Sequence, residues 1–327
     1  MAASHDADVL VVGAGISGLL CASSLQAAGR TVRVVEKSRG VGGRMATRRI
    51  GEARFDHGVQ FFSVSQQPFM SWVELWLADG LIKIWQRPDD QEGPGEAFPR
   101  YCGIHGMTDV PKHLAAGLTV HLAQRANVLE HADAGWCVHT EQGEHFRAPQ
   151  LVITSPLPQS LDLLDTIDFS QREPAYPALR AVNYVHGLAL LACLDGPSGV
   201  TSPGYCEHDE PACHWIADNQ MKGISPEPCV TVHALPSFAA EQWDLPPSDC
   251  MDIMLRAAAP HLGGSKVTEY ALHRWRYAVS VNAWPKPFFK SAMPELWLAG
   301  DGFGGGQVER AACSGLAVAE DILGTSV

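Results

Sequence analysis

One stretch near the start of the sequence, residues 8–36, most strongly constrains the fold. It begins with a short apolar run, Val9–Val12, which is typical of a strand buried on both faces of a parallel sheet. A turn with the spacing Gly-x-Gly-x-x-Gly follows at Gly13–Gly18. Small and apolar residues then recur at helical spacing, and a second β-rich run, Thr31–Val35, comes next. The stretch therefore predicts a βαβ unit.

Each glycine of this turn has its own part in dinucleotide binding. Gly13 permits the sharp turn, Gly15 lets the backbone approach a pyrophosphate, and Gly18 lets helix and strand pack closely. Glu36 ends the second strand, where a carboxylate can accept hydrogen bonds from both hydroxyls of an adenosine ribose. We therefore expect a dinucleotide rather than a merely structural turn. This stretch alone leaves FAD and NAD open.

The composition is that of an ordinary globular α/β protein. The 327 residues are 46% hydrophobic and 18% charged, which suits one large domain or two interleaved ones. The net charge of −12, with no basic block to offset it, argues against nucleic acid as a partner. No apolar run reaches the roughly 18 residues of a membrane span, and no signal peptide is evident. We expect a soluble, cytoplasmic protein without a membrane partner.

The cysteines predict neither a disulfide framework nor a metal site. Nine cysteines form an odd set without a Cys-x-x-Cys pair, which favours reduced thiols. Two cysteines and two histidines lie close together in sequence, but their spacing matches no common zinc pattern. These residues are Cys206, His208, Cys213 and His214. We interpret them as loop residues and predict no metal.

The middle of the chain predicts insertions into the βαβ scaffold. We expect an amphipathic helix around Trp72–Leu77, a proline- and glycine-rich loop over residues 86–100, and a helix with Thr108 as its N-cap. Residues 126–146 alternate like a β-meander, and residues 176–274 contain strands punctuated by proline. This last segment looks like a substrate domain.

A second glycine cluster follows the second predicted strand. Gly42-Gly43-Arg44 lets the chain pass close beneath a dinucleotide while the guanidinium faces its phosphates. Together with Gly13–Gly18, Glu36 and the downstream Leu298-Ala299-Gly300-Asp301, it resembles the FAD-binding signature of the flavin amine oxidase superfamily. Residues 43–48 and 55–62 resemble the renalase branch of that superfamily. The resemblance therefore implies FAD as the cofactor.

The resemblance also implies a fold class. It is an α/β fold plus antiparallel sheet, p-hydroxybenzoate hydroxylase-like or amine oxidase-like, in which a Rossmann-like FAD-binding domain is interleaved with a substrate domain. We assign residues 1–60, 118–172 and 283–327 to the FAD-binding domain. Residues 61–117 and 173–282 are assigned to the substrate domain.

FAD-binding residues are carried over from the same motifs. The resemblance implies that the backbone at Val128 meets the adenine and that Asp301 accepts a hydrogen bond from the ribitol. The positive N-terminus of the helix predicted over Val308–Leu323 would face the pyrimidine edge of the flavin. The full set is Gly13, Gly15, Ile16, Ser17, Gly18, Glu36, Lys37, Gly43, Arg44, His57, Gly58, Gln60, Val128, Gly300, Asp301 and Val308.

The substrate side is assigned from the resemblance to renalases as well. It places His233 and the aromatic run 273–277, which includes Trp275 and Arg276, over the flavin ring. Further candidates are Tyr184, Trp215 and Asn219. For each of these residues, the alternative is an ordinary core or interface position.

The resemblance implies an oxidase of misreduced dihydronicotinamides. Such an enzyme removes hydride from 2- or 6-dihydro isomers of NAD(P)H, a dihydronicotinamide dinucleotide, and gives NAD(P)⁺ and, with O₂, H₂O₂. No sequence pattern matches a nucleophilic triad or a second nucleotide fingerprint, so the flavin has to carry the chemistry. Two alternatives stay open: a flavin amine or polyamine oxidase, and a non-catalytic dinucleotide-binding regulatory module. The oligomeric state also stays open.

Overall fold

The computed structural model describes residues 6–87, 98–133 and 135–325, which form a mixed α/β fold. The strands are β1 (Val9–Val12), β2 (Val32–Val35), β3 (Thr47–Ile50), β4 (Ala53–Asp56), β5 (Ile82–Gln86), β6 (Arg100–Gly103), β7 (Thr119–His121), β8 (Ala126–Ala132), β9 (Gly135–Thr140), β10 (His145–Ala148), β11 (Gln150–Ile153), β12 (Tyr184–Leu194), β13 (Tyr205–Glu207), β14 (Trp215–Asp218), β15 (Cys229–His233), β16 (Val267–Ser280), β17 (Phe289–Lys290) and β18 (Leu296–Leu298). The α-helices are α1 (Ile16–Ala27), α2 (Phe69–Ala78), α3 (Asp109–Ala116), α4 (Leu157–Leu164), α5 (Phe169–Arg172), α6 (Tyr176–Arg180), α7 (Pro236–Glu241), α8 (Pro247–Ala258) and α9 (Val308–Leu323).

A six-stranded sheet carries the N-terminal βαβ unit. Its strand order is β17-β18-β11-β1-β2-β7, and every pairing is parallel except that of β17 with β18. The side chains of β1 alternate between the two faces of the sheet. Val9 and Val11 pack with α1 and α9, whereas Leu10 and Val12 pack with α4 and the β8–β10 meander. Both faces are thus covered, as the uninterrupted apolar run predicts.

Helix α1 lies close to both β1 and α9 because small residues line its contacts. A Cβ atom at Gly18 would overlap the carbonyl oxygen of Gly13, and one at Gly315 of α9 would overlap that of Ser17. The helix ends before Gly29, whose φ of +86° favours glycine. The predicted βαβ unit is confirmed.

A five-stranded antiparallel sheet stands against this scaffold, with the order β13-β14-β15-β12-β16. One of its faces packs against α8 in a separate apolar core. The predicted α/β plus antiparallel-sheet class is confirmed. All strands of the parallel sheet fall within residues 1–60, 118–172 and 283–327, and those of the antiparallel sheet fall within 173–282. The domain boundaries themselves stay a prediction.

Local predictions for the inserted segment hold in part. The helix around Trp72–Leu77 and the meander are confirmed, whereas most of the loop predicted over 86–100 lies outside the described residues. Thr108 precedes α3 as expected, but it does not cap the helix through its side chain. Its hydroxyl instead accepts a hydrogen bond from the backbone N–H of Thr47 and donates one to the carbonyl of Met45. None of the described helices combines the length and the apolar composition that crossing a membrane requires.

Candidate active site

A cavity of about 340 Å³ lies between the parallel sheet and the antiparallel sheet. Residues that follow the carboxyl ends of β1, β11 and β18 form one wall, and residues of β12, β15 and β16 form the other. Ligands of open α/β sheets bind at this edge, and the volume is within the range of small-molecule sites. The cavity is therefore the candidate active site.

The first glycine turn is shaped to receive a ligand at Gly15. Gly13 has a φ of +109°, and a Cβ atom there would lie 2.6 Å from Oγ1 of Thr154. At Gly15, by contrast, a Cβ atom would meet nothing within 4 Å. The backbone at the N-terminus of α1 thus faces open space, where peptide N–H groups and the helix dipole favour a phosphate.

The second glycine cluster lies against the first. The backbone N–H of Gly42 donates a 2.8 Å hydrogen bond to the carbonyl of Ala14. Gly42 and Gly43 have φ values of +112° and +53°, and the atom nearest to a Cβ at Gly43 would be the Cα of Gly15, at 3.9 Å. The two glycine motifs therefore form one cradle without side chains.

Arg44 and Asp301 form a bidentate ion pair in the cavity wall. Nη1 of Arg44 lies 2.5 Å from Oδ2 of Asp301, and Nη2 lies 2.6 Å from Oδ1. The Tyr184 hydroxyl donates to Oδ1 at 3.2 Å. Burial and the Asp301 charge raise the pKa of Tyr184 above its ordinary value. Arg44 and Asp301 were predicted for different parts of FAD, the phosphates and the ribitol, and the structure brings them together.

The residues predicted for the adenosine part lie outside this cavity. Glu36 is 7% exposed, and its carboxylate accepts hydrogen bonds from the N–H groups of Ala14, at 2.8 Å, and Ser38, at 2.7 Å. Lys37 donates to Oε1 of Gln159 at 3.0 Å, and burial lowers its pKa. Val128 is 40% exposed on β8. The Glu36 carboxylate is thus held in place by the backbone of both glycine-bearing segments.

The N-terminus of α9 also faces the cavity. Gln307, Val308 and Ala311 line the wall, so the positive end of the helix dipole points at the space between the sheets. Glu309 in the first turn is buried, and its carboxylate accepts hydrogen bonds from the backbone N–H groups of Ser65 and Gln66. This contact fixes the helix start on the inserted segment.

These features fit a flavin dinucleotide. The N-terminus of α1 and a cradle without side chains suit its diphosphate, and the N-terminus of α9 offers a second positive helix end to the cofactor. The buried hydroxyl of Ser17 lines the cavity and has no hydrogen-bond partner among the described residues, so it is available to a ligand. Of the predicted FAD residues, seven line the cavity: Ile16, Ser17, Arg44, Gly58, Gly300, Asp301 and Val308.

An aromatic cluster closes the substrate side. Trp275 lines the cavity and donates a 2.8 Å hydrogen bond from Nε1 to the carbonyl of His57. The His57 and His273 rings lie 4.4 Å apart, and the His273 and Trp275 rings lie 4.2 Å apart. His57 was predicted to contact FAD, but it does not line the cavity. His233 lines the cavity, as predicted.

Three histidines at this site, His57, His233 and His273, are neutral at pH 7. Burial, followed by the neighbouring His273, lowers the pKa of His57 from 6.5 to about 3. Burial and the charge of Lys222 lower the pKa of His233 to about 4. Burial, followed by Arg48, lowers that of His273 to about 4. The site therefore presents uncharged imidazoles over the ordinary pH range.

The buried histidines predict a loss of stability in acid. Between pH 6.5 and about 4, the unfolded chain binds a proton at His57 and at His233, whereas the folded protein does not. The free energy of unfolding should therefore fall by about 1.4 kcal/mol per pH unit for each of these histidines as the pH drops through that window. Urea denaturation of the wild type and of His57→Asn at pH 7 and pH 5 measures this slope. Identical slopes for the two proteins would contradict the assignment.

Four predicted catalytic residues do not line the cavity. One of them, Tyr184, contacts Asp301 in the cavity wall through its hydroxyl. Arg276 neighbours Trp275 on β16, so strand alternation directs its side chain to the opposite, exposed face. Trp215 pairs with His233 across β14 and β15 but stacks on Tyr205, with ring centroids 4.3 Å apart. Asn219 is fully buried and donates to Oγ1 of Thr231 at 3.0 Å. Neither Trp215 nor Asn219 lines the cavity.

A buried ion pair that the sequence did not predict lies next to the site. Nζ of Lys222 lies 2.8 Å from Oδ2 of Asp56, and both side chains are 0% exposed. The same ammonium donates to the carbonyl oxygen of Gln60 at 2.5 Å. Gln60, predicted to bind FAD, does not line the cavity. A lone lysine in a loop gives no sequence signal, although Asp56 lies within the 55–62 motif.

The described cysteines and histidines give little support to a metal site. All nine cysteines are free thiols. Among the described residues, the donor atoms of Glu130, Cys137 and His139 lie within 4.8 Å of one another. Burial raises the pKa of the Cys137 thiol, which disfavours the thiolate that a metal requires. Within the described chain, no such set is formed by Cys206, His208, Cys213 and His214.

This chain is similar to a known protein over most of its length. It is 26% identical to renalase of Mus musculus over 320 residues, which cover 90% of this chain and 92% of that protein. The predicted resemblance to renalases is thereby confirmed. The chain is also 43% identical to putrescine oxidase of Kocuria rosea, over 67 residues that cover 20% of this chain and 14% of that protein.

Solved structures share the fold at low sequence identity. A triple mutant of putrescine oxidase superposes with a TM-score of 0.72 at 15% identity and covers 98% of this chain and 99% of its own. A putative protoporphyrinogen oxidase from Exiguobacterium sp. gives a TM-score of 0.68 at 12% identity, over 96% and 98% of the two chains.

Two family models match consecutive parts of the sequence. The model of the NAD(P)-binding Rossmann-like domain matches residues 11–74, which hold both glycine motifs. The model of the flavin containing amine oxidoreductases matches residues 76–323, well over half of the chain. The chain therefore belongs to the flavin-containing amine oxidoreductases, and its cofactor is FAD.

Proposed function

We propose that this oxidoreductase removes hydride from misreduced dihydronicotinamides. Its substrates would be the 2- or 6-dihydro isomers of NAD(P)H, and its product would be NAD(P)⁺. O₂ would accept the electrons and be reduced to H₂O₂. The observation that carries the proposal is the similarity to a renalase over nine-tenths of both chains. The match to putrescine oxidase covers only a fifth of this sequence.

The chemistry of the cavity wall supports a neutral, planar substrate. Among the described residues that line it, the one carboxylate is Asp301, which is already paired with Arg44. An alkylammonium ion would therefore find no free carboxylate there. The indole of Trp275 and the neutral imidazole of His233 offer instead a flat surface and a hydrogen-bonding edge.

The residues of the chain bind and orient, while FAD when bound supplies the two-electron acceptor. The Gly15 and Gly43 cradle and the N-termini of α1 and α9 would hold the cofactor. Trp275 would hold the substrate ring against it and exclude water. A dihydronicotinamide already carries a transferable hydride, so it needs positioning and no obligatory general base. The low pKa values of the site histidines agree with that requirement.

An amine or polyamine oxidase is the second candidate. The observation in its favour is the fold, since putrescine oxidase structures superpose over nearly the whole chain. At 15% identity this likeness shows a shared fold and gives no information about the substrate. A regulatory module that binds the dinucleotide without catalysis would leave the flavin oxidised with every substrate.

Anaerobic rapid mixing tests the proposal. We expect 2- and 6-dihydro-NAD(P) to bleach the bound flavin and to yield NAD(P)⁺, and admitted O₂ should then yield one H₂O₂ per flavin. Putrescine and benzylamine should leave the flavin oxidised. The proposal is wrong if a simple amine bleaches the flavin within seconds while both dihydronicotinamides do not.

Two neighbouring residues of β16 give a matched pair of variants for this assay. Trp275→Ala should raise the half-saturating concentration and slow flavin reduction by about ten- to a hundredfold, because positioning is lost. Arg276→Ala changes a side chain on the exposed face and should behave like the wild type. Equal effects of the two substitutions would contradict the assignment of Trp275 to the substrate wall.

A further inference from the structure

Gln60 connects the buried Lys222 to His233. Its side chain lies between the two, with Nε2 3.0 Å from Nε2 of His233 and Oε1 3.4 Å from Nζ of Lys222. Nε2 of Gln60 also donates to the backbone carbonyl of Asp56. All polar atoms of this amide thus have partners on the protein.

The partners fix the orientation of the amide. An ammonium group can only donate hydrogen bonds, so the Gln60 atom that faces Lys222 must be the oxygen. A backbone carbonyl can only accept, so the atom that faces Asp56 must be the nitrogen. Both conditions select the same orientation, in which one N–H of Gln60 points at Asp56 and the other at His233.

The orientation of Gln60 in turn fixes the proton on His233. Because Gln60 donates to Nε2, that nitrogen must accept, and the proton of the neutral ring resides on Nδ1. Nδ1 makes no hydrogen bond to the described residues, and the ring lines the cavity. The group that His233 can offer to a ligand is therefore a donor.

We propose that Gln60, oriented by Lys222 and by the carbonyl of Asp56, is a positioning residue that holds His233 in the Nδ1–H tautomer as a hydrogen-bond donor to a carbonyl-type oxygen in the cavity. Under the proposed function, on which this part rests, that oxygen is the carboxamide oxygen of the dihydronicotinamide. A donor imidazole cannot take a proton from an amine. The arrangement therefore selects against substrates that require a general base at His233.

Long-range ¹H–¹⁵N NMR of the FAD-loaded protein tests the tautomer directly. We expect Nε2 of His233 to give the signal of an unprotonated ring nitrogen and Nδ1 that of a protonated one, with His233→Asn identifying the signals. Gln60→Glu keeps a partner for Lys222 but removes the N–H that faces the ring, so the proton should move to Nε2. A protonated Nε2 in the wild type, or an unchanged tautomer in Gln60→Glu, overturns the proposal.

Binding of NAD⁺, followed through the flavin absorbance, tests the acceptor separately. We expect Gln60→Glu to weaken NAD⁺ binding by about tenfold, because one hydrogen bond is lost. Unchanged affinity would overturn the assignment of the carboxamide as acceptor. The NMR experiment does not depend on substrate identity, so failure of the proposed function and failure of the tautomer assignment are distinguishable.

Discussion

Replacing Gly15 with valine should weaken FAD binding by a hundredfold or more while leaving the fold intact. The residue has a φ of −79° and a ψ of 178°, which any L-residue adopts, and a Cβ atom there meets nothing within 4 Å in the protein. The new side chain would instead occupy the space through which the diphosphate approaches the N-terminus of α1. We expect FAD affinity to fall by a hundredfold or more, about 3 kcal/mol. Flavin absorbance of the purified protein and FAD titration measure this.

Gly18→Ala provides the matched control for Gly15→Val. Its Cβ atom would overlap the carbonyl oxygen of Gly13, so the βαβ unit itself must shift. That variant should lose thermal stability as well as FAD, whereas Gly15→Val should melt like the wild-type apoprotein. If Gly15→Val purified with a full complement of FAD, the diphosphate would not lie at this turn.

Replacing Lys222 with methionine should destabilise the protein by about 3–5 kcal/mol, because the change leaves the Asp56 carboxylate charged and fully buried without its partner. Asp56 also accepts hydrogen bonds from Thr47 and from the backbone of Met107, so it cannot turn towards solvent. Urea denaturation of the FAD-loaded protein measures the loss. A loss below about 1 kcal/mol would mean that Asp56 is not held as a buried anion.

The ion pair between Lys290 and Asp321 serves as the comparison. Its N–O distance is also 2.8 Å, but the side chains are 54% and 29% exposed. Lys290→Met should therefore cost no more than about 1 kcal/mol. The double variant Asp56→Asn, Lys222→Met removes both buried charges and should recover more than half of the stability lost in Lys222→Met.

The cofactor half of the site follows from the sequence because its signals are local. A glycine turn, the strand before it and the helix after it lie within residues 8–36, and each of these features constrains the backbone by itself. Helix α9 was predicted with its observed limits for the same reason. Its apolar periodicity and the glycine-rich loop before it lie in one continuous segment.

The substrate half depends on which face of a strand a side chain occupies. Trp275 and Arg276 are adjacent in sequence, yet strand alternation brings only Trp275 to the cavity. Trp215 pairs with His233 on the same face of the sheet, yet its ring stacks on Tyr205 and does not line the cavity. Lys222 lies in a loop far from Asp56 in sequence, and their pairing is a product of tertiary packing. No local pattern contains that information.

The pairing of Arg44 with Asp301 could not be predicted from the sequence either. Each residue belongs to a separate motif, and each was predicted to bind a different part of FAD. The structure shows that the β18 terminus lies next to the segment after β2, so the two side chains bond to each other across the site. The Asp301 carboxylate therefore already neutralises part of the Arg44 charge that could otherwise pair with a phosphate.

The contact of α1 with α9 determines when FAD can bind stably during synthesis of the chain. The backbone of Gly315 lies against Ser17, and Gly300 and Asp301 complete a cavity that Ile16 and Ser17 begin. These partners are far apart along the chain, so the ribosome releases the dinucleotide turn long before the residues that enclose it. When the βαβ unit leaves the ribosome, the residues that form the other side of the FAD site have not yet been synthesised. Stable capture of the flavin must therefore wait until α9 has left the exit tunnel and packed onto α1.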